Sequence, residues 1–120
     1  MKKWPNFTEK EFLCKCGCGL RVQTELIDKL QEARTIAGVP FRINSGARCP
    51  MHNKNIGASD TSSHTLGLAA DIAVRNGNEY FSVLEGLIKA GFARIGRGKD
   101  DRFLHADIDK DKPQRVSWSY

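Results

Sequence analysis

Two histidines and an aspartate carry the most explicit chemistry in this sequence. The stretch Ser62-Ser63-His64-Thr65-Leu66-Gly67-Leu68-Ala69-Ala70-Asp71 holds one histidine and the aspartate, and Phe103-Leu104-His105-Ala106-Asp107 holds the other histidine. Imidazole and carboxylate are the donors a catalytic zinc ion takes when one coordination position stays open to water. Gly67 stands between His64 and Asp71, so these two are not an i, i+4 helical pair, and no H-E-x-x-H occurs in the chain. Leu68, Ala70 and Ile72 alternate with Ala69, Asp71 and Ala73, which predicts a short strand with small residues on one face. In the second segment Phe103, His105 and Asp107 share one face, and Leu104, Ala106 and Ile108 share the other. A histidine inside an apolar strand needs a partner for its ring nitrogens, because a buried polar group left unpaired is costly. A metal ion is one such partner, and a neighbouring carboxylate is another.

The ten residues from Ser62 to Asp71 read S-x-H-x-x-G-x-A-x-D. This pattern resembles that of the zinc D-alanyl-D-alanine carboxypeptidase family, peptidoglycan-cleaving metallopeptidases that include phage endolysins and share a hedgehog-like fold. The resemblance runs from Phe7 to Trp118. It implies one catalytic zinc held by His64, Asp71 and His105, and a cell-wall stem or cross-link peptide as substrate. Arg48, in Ile43-Asn44-Ser45-Gly46-Ala47-Arg48, matches a family arginine beside the metal that binds a substrate carboxylate or carbonyl. A guanidinium suits that task because its planar fork grips a carboxylate through two parallel hydrogen bonds. Ser62 stands close enough to bond such a substrate group, or else caps a turn.

Hydrolysis also needs a base that takes a proton from water and delivers it to the leaving amine. Family members commonly place an acidic residue three positions before the last zinc histidine, and here that position is Arg102. Asp101 and Asp107 are the two candidates in its stead. A one-residue bulge before the strand would bring Asp101 into place. Asp107 faces the same way as His105, and serves either as base or as the group that orients a ligand histidine. The missing acid also supports an alternative, a non-catalytic zinc-binding domain of the same fold acting as a cell-wall-binding or virion structural module.

Cys14, Cys16 and Cys18 fall within five residues, and Cys49 follows Arg48. This C-x-C-x-C spacing differs from the C-x-x-C of common zinc ribbons. Three states stay open for the cysteines: a second, structural zinc, a disulfide from the knuckle to Cys49, or reduced thiols. His52 reads as a structural residue of the same loop.

The elements that must position these residues follow from periodicity and caps. Thr8 to Glu11 fits a capping box opening a short helix through Leu13. A helix from Thr24, as N-cap, to Ala37 would bury Leu26, Ile27, Leu30, Ala33 and Ala37, and Gly38 would stop it. A helix over residues 79–90 would turn Phe81, Leu84, Leu87 and Ile88 inward. Strands are expected near residues 41–44, 68–74, 93–96, 103–108 and 116–118, with a long loop over 45–63 holding one helical turn after Pro50. The predicted fold is α+β, a small antiparallel sheet flanked by two to three helices, in a single metallopeptidase domain over residues 1–120.

Composition agrees. A chain of 120 residues with 40% hydrophobic and 28% charged residues is globular, with a modest core. No run is long enough to span a membrane. The net charge of +5 suits an anionic envelope, while the scattered lysines and arginines lack the clustering of a specific nucleic-acid site. The N-terminus shows no apolar signal core, so synthesis in the cytoplasm is expected. Action would then follow at the bacterial cell wall, after holin-mediated release or as a virion component. That is the setting of a phage or prophage lysis protein working as a monomer.

Overall fold

The computed structural model describes residues 4–59 and 61–120. Helices α1 (Thr24–Ala37), α2 (Pro50–Asn55) and α3 (Gly77–Lys89) join strands β1 (Arg42–Ser45), β2 (Ala69–Ala73), β3 (Arg94–Arg97), β4 (Phe103–Asp107) and β5 (Val116–Ser119). Short 3-10 turns cover Glu9–Phe12, Ser63–Leu66 and Lys99–Asp101. The fold is α+β, as expected. Strands pair in the order β1-β2-β4-β3-β5. All pairings are antiparallel except the last, in which β5 runs parallel to β3. The segment between β4 and β5 is therefore a crossover past β3, which lies between them.

The Thr8 capping box and the Gly38 stop act as the sequence predicts, while the other two helix starts differ. Glu11 reaches back to accept the Thr8 backbone N–H at 2.7 Å, and the Asn76 side chain accepts the Glu79 N–H at 2.9 Å to start α3. Helix α1 ends at Gly38, whose N–H bonds the Arg34 carbonyl at 3.1 Å. Thr24 is the first helical residue and Gln23 takes the cap position.

The two-residue period gives the sheet two different faces. Ala70, Ile72, Leu104, Ala106 and Ile95 turn toward α1 and α3 and join Leu26, Ile27, Leu30, Val83 and Leu87 in the core. Burying each large aliphatic side chain there contributes roughly 1.5–3 kcal/mol. The opposite face presents Asp71, His105 and Asp107. Helix α3 turns Leu84 and Leu87 to the core as expected, together with Val83 and Gly86, but Phe81 and Ile88 are 66% and 58% exposed. Gly86 sets this phase, since a Cβ there would stand 2.4 Å from the Ala33 carbonyl of α1. The helices come together at a position with no side chain. Among the described residues no helix is long and apolar enough to cross a membrane.

Candidate metal centre and its cleft

Asp71 and His105 are direct cross-strand partners in the β2–β4 ladder. Their side chains therefore leave the same face of the sheet side by side. His64 arrives from the 3-10 turn ahead of β2, and Gly67 makes the corner between them with φ 71°. A Cβ on Gly67 would meet the Arg21 carbonyl at 2.8 Å, so the corner demands glycine twice, for conformation and for space.

Three donors meet there. His64 Nε2 lies 3.3 Å from Asp71 Oδ1, and His105 Nδ1 lies 3.0 Å from the same oxygen. Donors bound tetrahedrally at zinc distances of about 2.0–2.1 Å sit roughly 3.3 Å apart. The residues present fit such an ion. With an ion on the facing nitrogens, both rings would hold the tautomer that ligation needs. His64 Nδ1 donates to the Gly46 carbonyl at 2.7 Å, which leaves Nε2 with its lone pair. His105 Nε2 donates to Asp107 Oδ2 at 2.7 Å, which leaves Nδ1 with its lone pair.

Electrostatics follow the same contacts. Burial pushes the Asp71 carboxyl up, but hydrogen bonds from His105 and His64 outweigh it and hold the group well below the usual carboxylate range. Burial pushes His105 down, and its bonds to Asp107 and Asp71 more than reverse this, so the ring is more basic than usual.

Asp107 is buried and fully engaged. Besides His105 it accepts Arg94 Nε at 2.7 Å and the Asp109 N–H at 3.1 Å, both on Oδ1. Arg94 in turn donates to the Pro113 carbonyl at 2.7 Å and lies 4.8 Å from the centre of the Trp118 ring.

The donors open into a cleft of about 550 Å³ lined by Arg48, Ser62, Lys112, Trp118 and Tyr120 among others. Arg48 Nη2 donates to Ser62 Oγ at 3.1 Å. Its Nε is buried and has no partner in the protein, and burial lowers the group's basicity. A buried donor left unpaired costs free energy until something accepts from it, so Arg48 is poised for a ligand oxygen. Ser62 serves two roles at once, since its Oγ also accepts the His64 N–H at 3.3 Å and caps the 3-10 turn. Trp118 packs 5.5 Å from the His105 ring and Tyr120 6.1 Å from it, forming an aromatic wall.

The structure does not bring Asp101 to the cleft. Instead of a bulge, the β3–β4 connection turns through two successive left-handed residues, Asp100 (φ 58°) and Asp101 (φ 57°). That turn directs the Asp101 carboxylate to Arg97 Nε at 2.6 Å and Nη2 at 3.1 Å, on the surface. Arg97 holds the Asp101 carboxyl below its ordinary range. Arg102, at the position where the resemblance expects an acid, is exposed.

Sequence reasoning missed Arg94, Lys112, Trp118 and Tyr120. Lys112 donates to the Thr61 carbonyl at 2.5 Å and Ser63 Oγ at 2.7 Å, which ties the crossover to the loop before His64. The period-two phase of β5 could have placed Trp118 and Tyr120 together on one face. Nothing local marks Arg94, whose partner Asp107 lies 13 residues away, and Lys112 reaches Thr61 and Ser63 across the fold besides pairing with nearby Asp109.

A family model described as Peptidase M15 matches residues 5–107. No curated protein matches the chain.

Proposed function

The chain belongs to the peptidase M15 family of zinc-dependent peptidases, and on that premise we propose that it hydrolyses peptide bonds in peptidoglycan stem or cross-link peptides. The activity is that of a D-Ala-D-Ala carboxypeptidase or endopeptidase. The observation that carries the reading is the donor set of His64, Asp71 and His105, spaced for zinc and opening onto a cleft with an unpartnered buried arginine donor.

A zinc ion held by these three residues would polarise the scissile carbonyl and acidify a water molecule. The chain's other residues then have separable tasks. Arg48 offers its guanidinium to a substrate carboxylate or carbonyl, and Ser62 keeps the group from swinging away by accepting Nη2. Of the two carboxylates read from the sequence, Asp107 is the one we place in the machinery. It holds the proton on His105 Nε2, so that Nδ1 stays aimed at the cleft. Arg94 fixes Asp107 in turn. Trp118 and Tyr120 screen one side of His105 from water.

The setting we propose is phage or prophage lysis. The protein would reach the wall after holin-mediated release or as part of a virion, and work there as a monomer. This rests on family analogy.

The test is digestion of purified peptidoglycan by the zinc-loaded protein, with products identified by mass spectrometry. Release of single D-alanine marks a carboxypeptidase, and separated cross-link halves mark an endopeptidase. Arg48→Lys should keep zinc and lower kcat/KM on the order of 10- to 100-fold, the scale of a charged hydrogen bond.

One observation favours a second reading. Among the described residues the only carboxylates lining the cleft are Asp71 and Asp107, and both are already engaged. A protein that binds wall fragments with zinc in place yet releases no peptide would be a non-catalytic zinc-binding module, of the cell wall or of a virion, and would end the peptidase proposal.

A further inference from the structure

The four cysteines lie outside the cleft, and the proposed hydrolysis makes no use of them. Cys14, Cys16 and Cys18 sit in the knuckle after the first 3-10 turn, while Cys49 precedes α2 and forms its N-cap. Cys49 is far along the chain from the other three, yet all four sulfurs lie within 4.8 Å of one another. Cys14 and Cys16 sulfurs are 3.4 Å apart, and those of Cys16 and Cys49 are 3.5 Å apart.

Two chemistries gather thiols, and they leave different geometry. A disulfide joins sulfurs in pairs at about 2.05 Å. A tetrahedral tetrathiolate site with metal–sulfur bonds of about 2.3 Å brings all four to one point, with sulfurs roughly 3.8 Å apart. The cysteines here are all unbonded, and they converge as a set of four. The backbone supports that convergence with N–H groups aimed at sulfur. The Cys49 N–H donates to Cys14 Sγ at 3.3 Å, and the His52 N–H donates to Cys49 Sγ at 3.4 Å. Such donors stabilise the negative charge that thiolates carry when they ligate. A turn closed by Gly17 N–H to the Cys14 carbonyl at 3.2 Å folds the knuckle into place.

We propose that Cys14, Cys16, Cys18 and Cys49 bind a second zinc ion, and that this ion pins the cleft loop to the N-terminal knuckle. Four sulfur donors close the coordination sphere, so the centre is structural, and soft thiolates select zinc over harder divalent ions. Its location gives it a task. Cys49 directly follows Arg48, whose own N–H bonds the His64 carbonyl at 3.0 Å, and Ala47 N–H bonds the Phe12 carbonyl at 2.9 Å. The segment that presents Arg48 to the cleft is thus held from both ends, by the sheet-side turn and by the cysteine centre.

The test uses the full chain purified under reducing conditions. Elemental analysis should find two zinc ions in the wild type and one in the His64→Ala/His105→Ala protein, where only the cysteine centre remains. Cobalt(II) in that double variant should give the intense thiolate-to-metal charge-transfer absorption that a histidine–aspartate site cannot produce. A mercurial titrated into the wild type should release one zinc as four thiols react, a readout that needs no cysteine variant to fold. Amide exchange over residues 46–56 should then rise, with β2 and β4 unchanged. A double variant without metal, or cysteines found as disulfides by intact mass, would overturn the centre. Unaltered exchange in the loop would overturn its pinning role. Absence of zinc from the histidine site alone would leave the cysteine result standing, because the two are counted separately.

Discussion

On the proposed reading, Asp107 acts through His105 rather than on the substrate. It bonds His105, Arg94 and the Asp109 N–H together, so removing its charge disturbs the aim of a metal ligand while leaving the ligand in place. Asp107→Asn should keep the fold but weaken zinc binding 10- to 100-fold, the usual effect of losing a carboxylate behind a ligating histidine. Competition with a chromophoric chelator measures this. Asp101→Asn, which loses only a surface pair with Arg97, should leave zinc affinity and turnover as they are. A large rate loss with zinc retained in the Asp101 variant would move the proton chemistry to the β3–β4 turn. Alternation made the strand faces of Asp71 and His105 legible, and the family resemblance brought them together, but their direct pairing across β2 and β4 came only with the structure. Asp101 was not legible, since consecutive left-handed residues are set by how the turn closes and not by any local composition.

At the scale of elements, the 3-10 turn and β2 must meet at a fixed angle for His64 to reach Asp71. Gly67 is that joint. Gly67→Ala should destabilise the protein by about 1–3 kcal/mol, the cost of holding a side chain in a left-handed conformation, with any clash against the Arg21 carbonyl adding to it. Urea denaturation reads the stability, and zinc affinity should fall with it because His64 moves. An unchanged stability would mean the corner relaxes freely. Element identity was well marked in the sequence: caps at Thr8, the stop at Gly38 and the buried stripe of α1 all stand where propensity puts them. Two features were not. The phase of α3 follows Gly86 meeting α1, a contact between distant segments. The direction of β5 depends on the course of residues 108–115, which residue pattern does not encode.

For the whole molecule, the metal donors link the loop, β2 and β4, so occupancy should be felt as global stability. Zinc at about 100 times its dissociation constant should add about 2.7 kcal/mol, which for a domain of this size raises Tm by roughly 10 °C. Calorimetry with and without chelator checks it, and a Tm indifferent to zinc would argue that the donors do not converge on an ion in solution. The alternating faces of β2 and β4 carry a consequence for how such a protein can change over time. Residues 70, 72, 104 and 106 answer to packing, while 71, 105 and 107 answer to chemistry, and they are interleaved one by one along the chain. Deleting or inserting a single residue in either strand would exchange the two sets, pressing carboxylates into the helices and alanines into the cleft. Substitutions can tune this site gradually, but gain or loss of one codon within either strand would displace the packing residues and the proposed metal donors together.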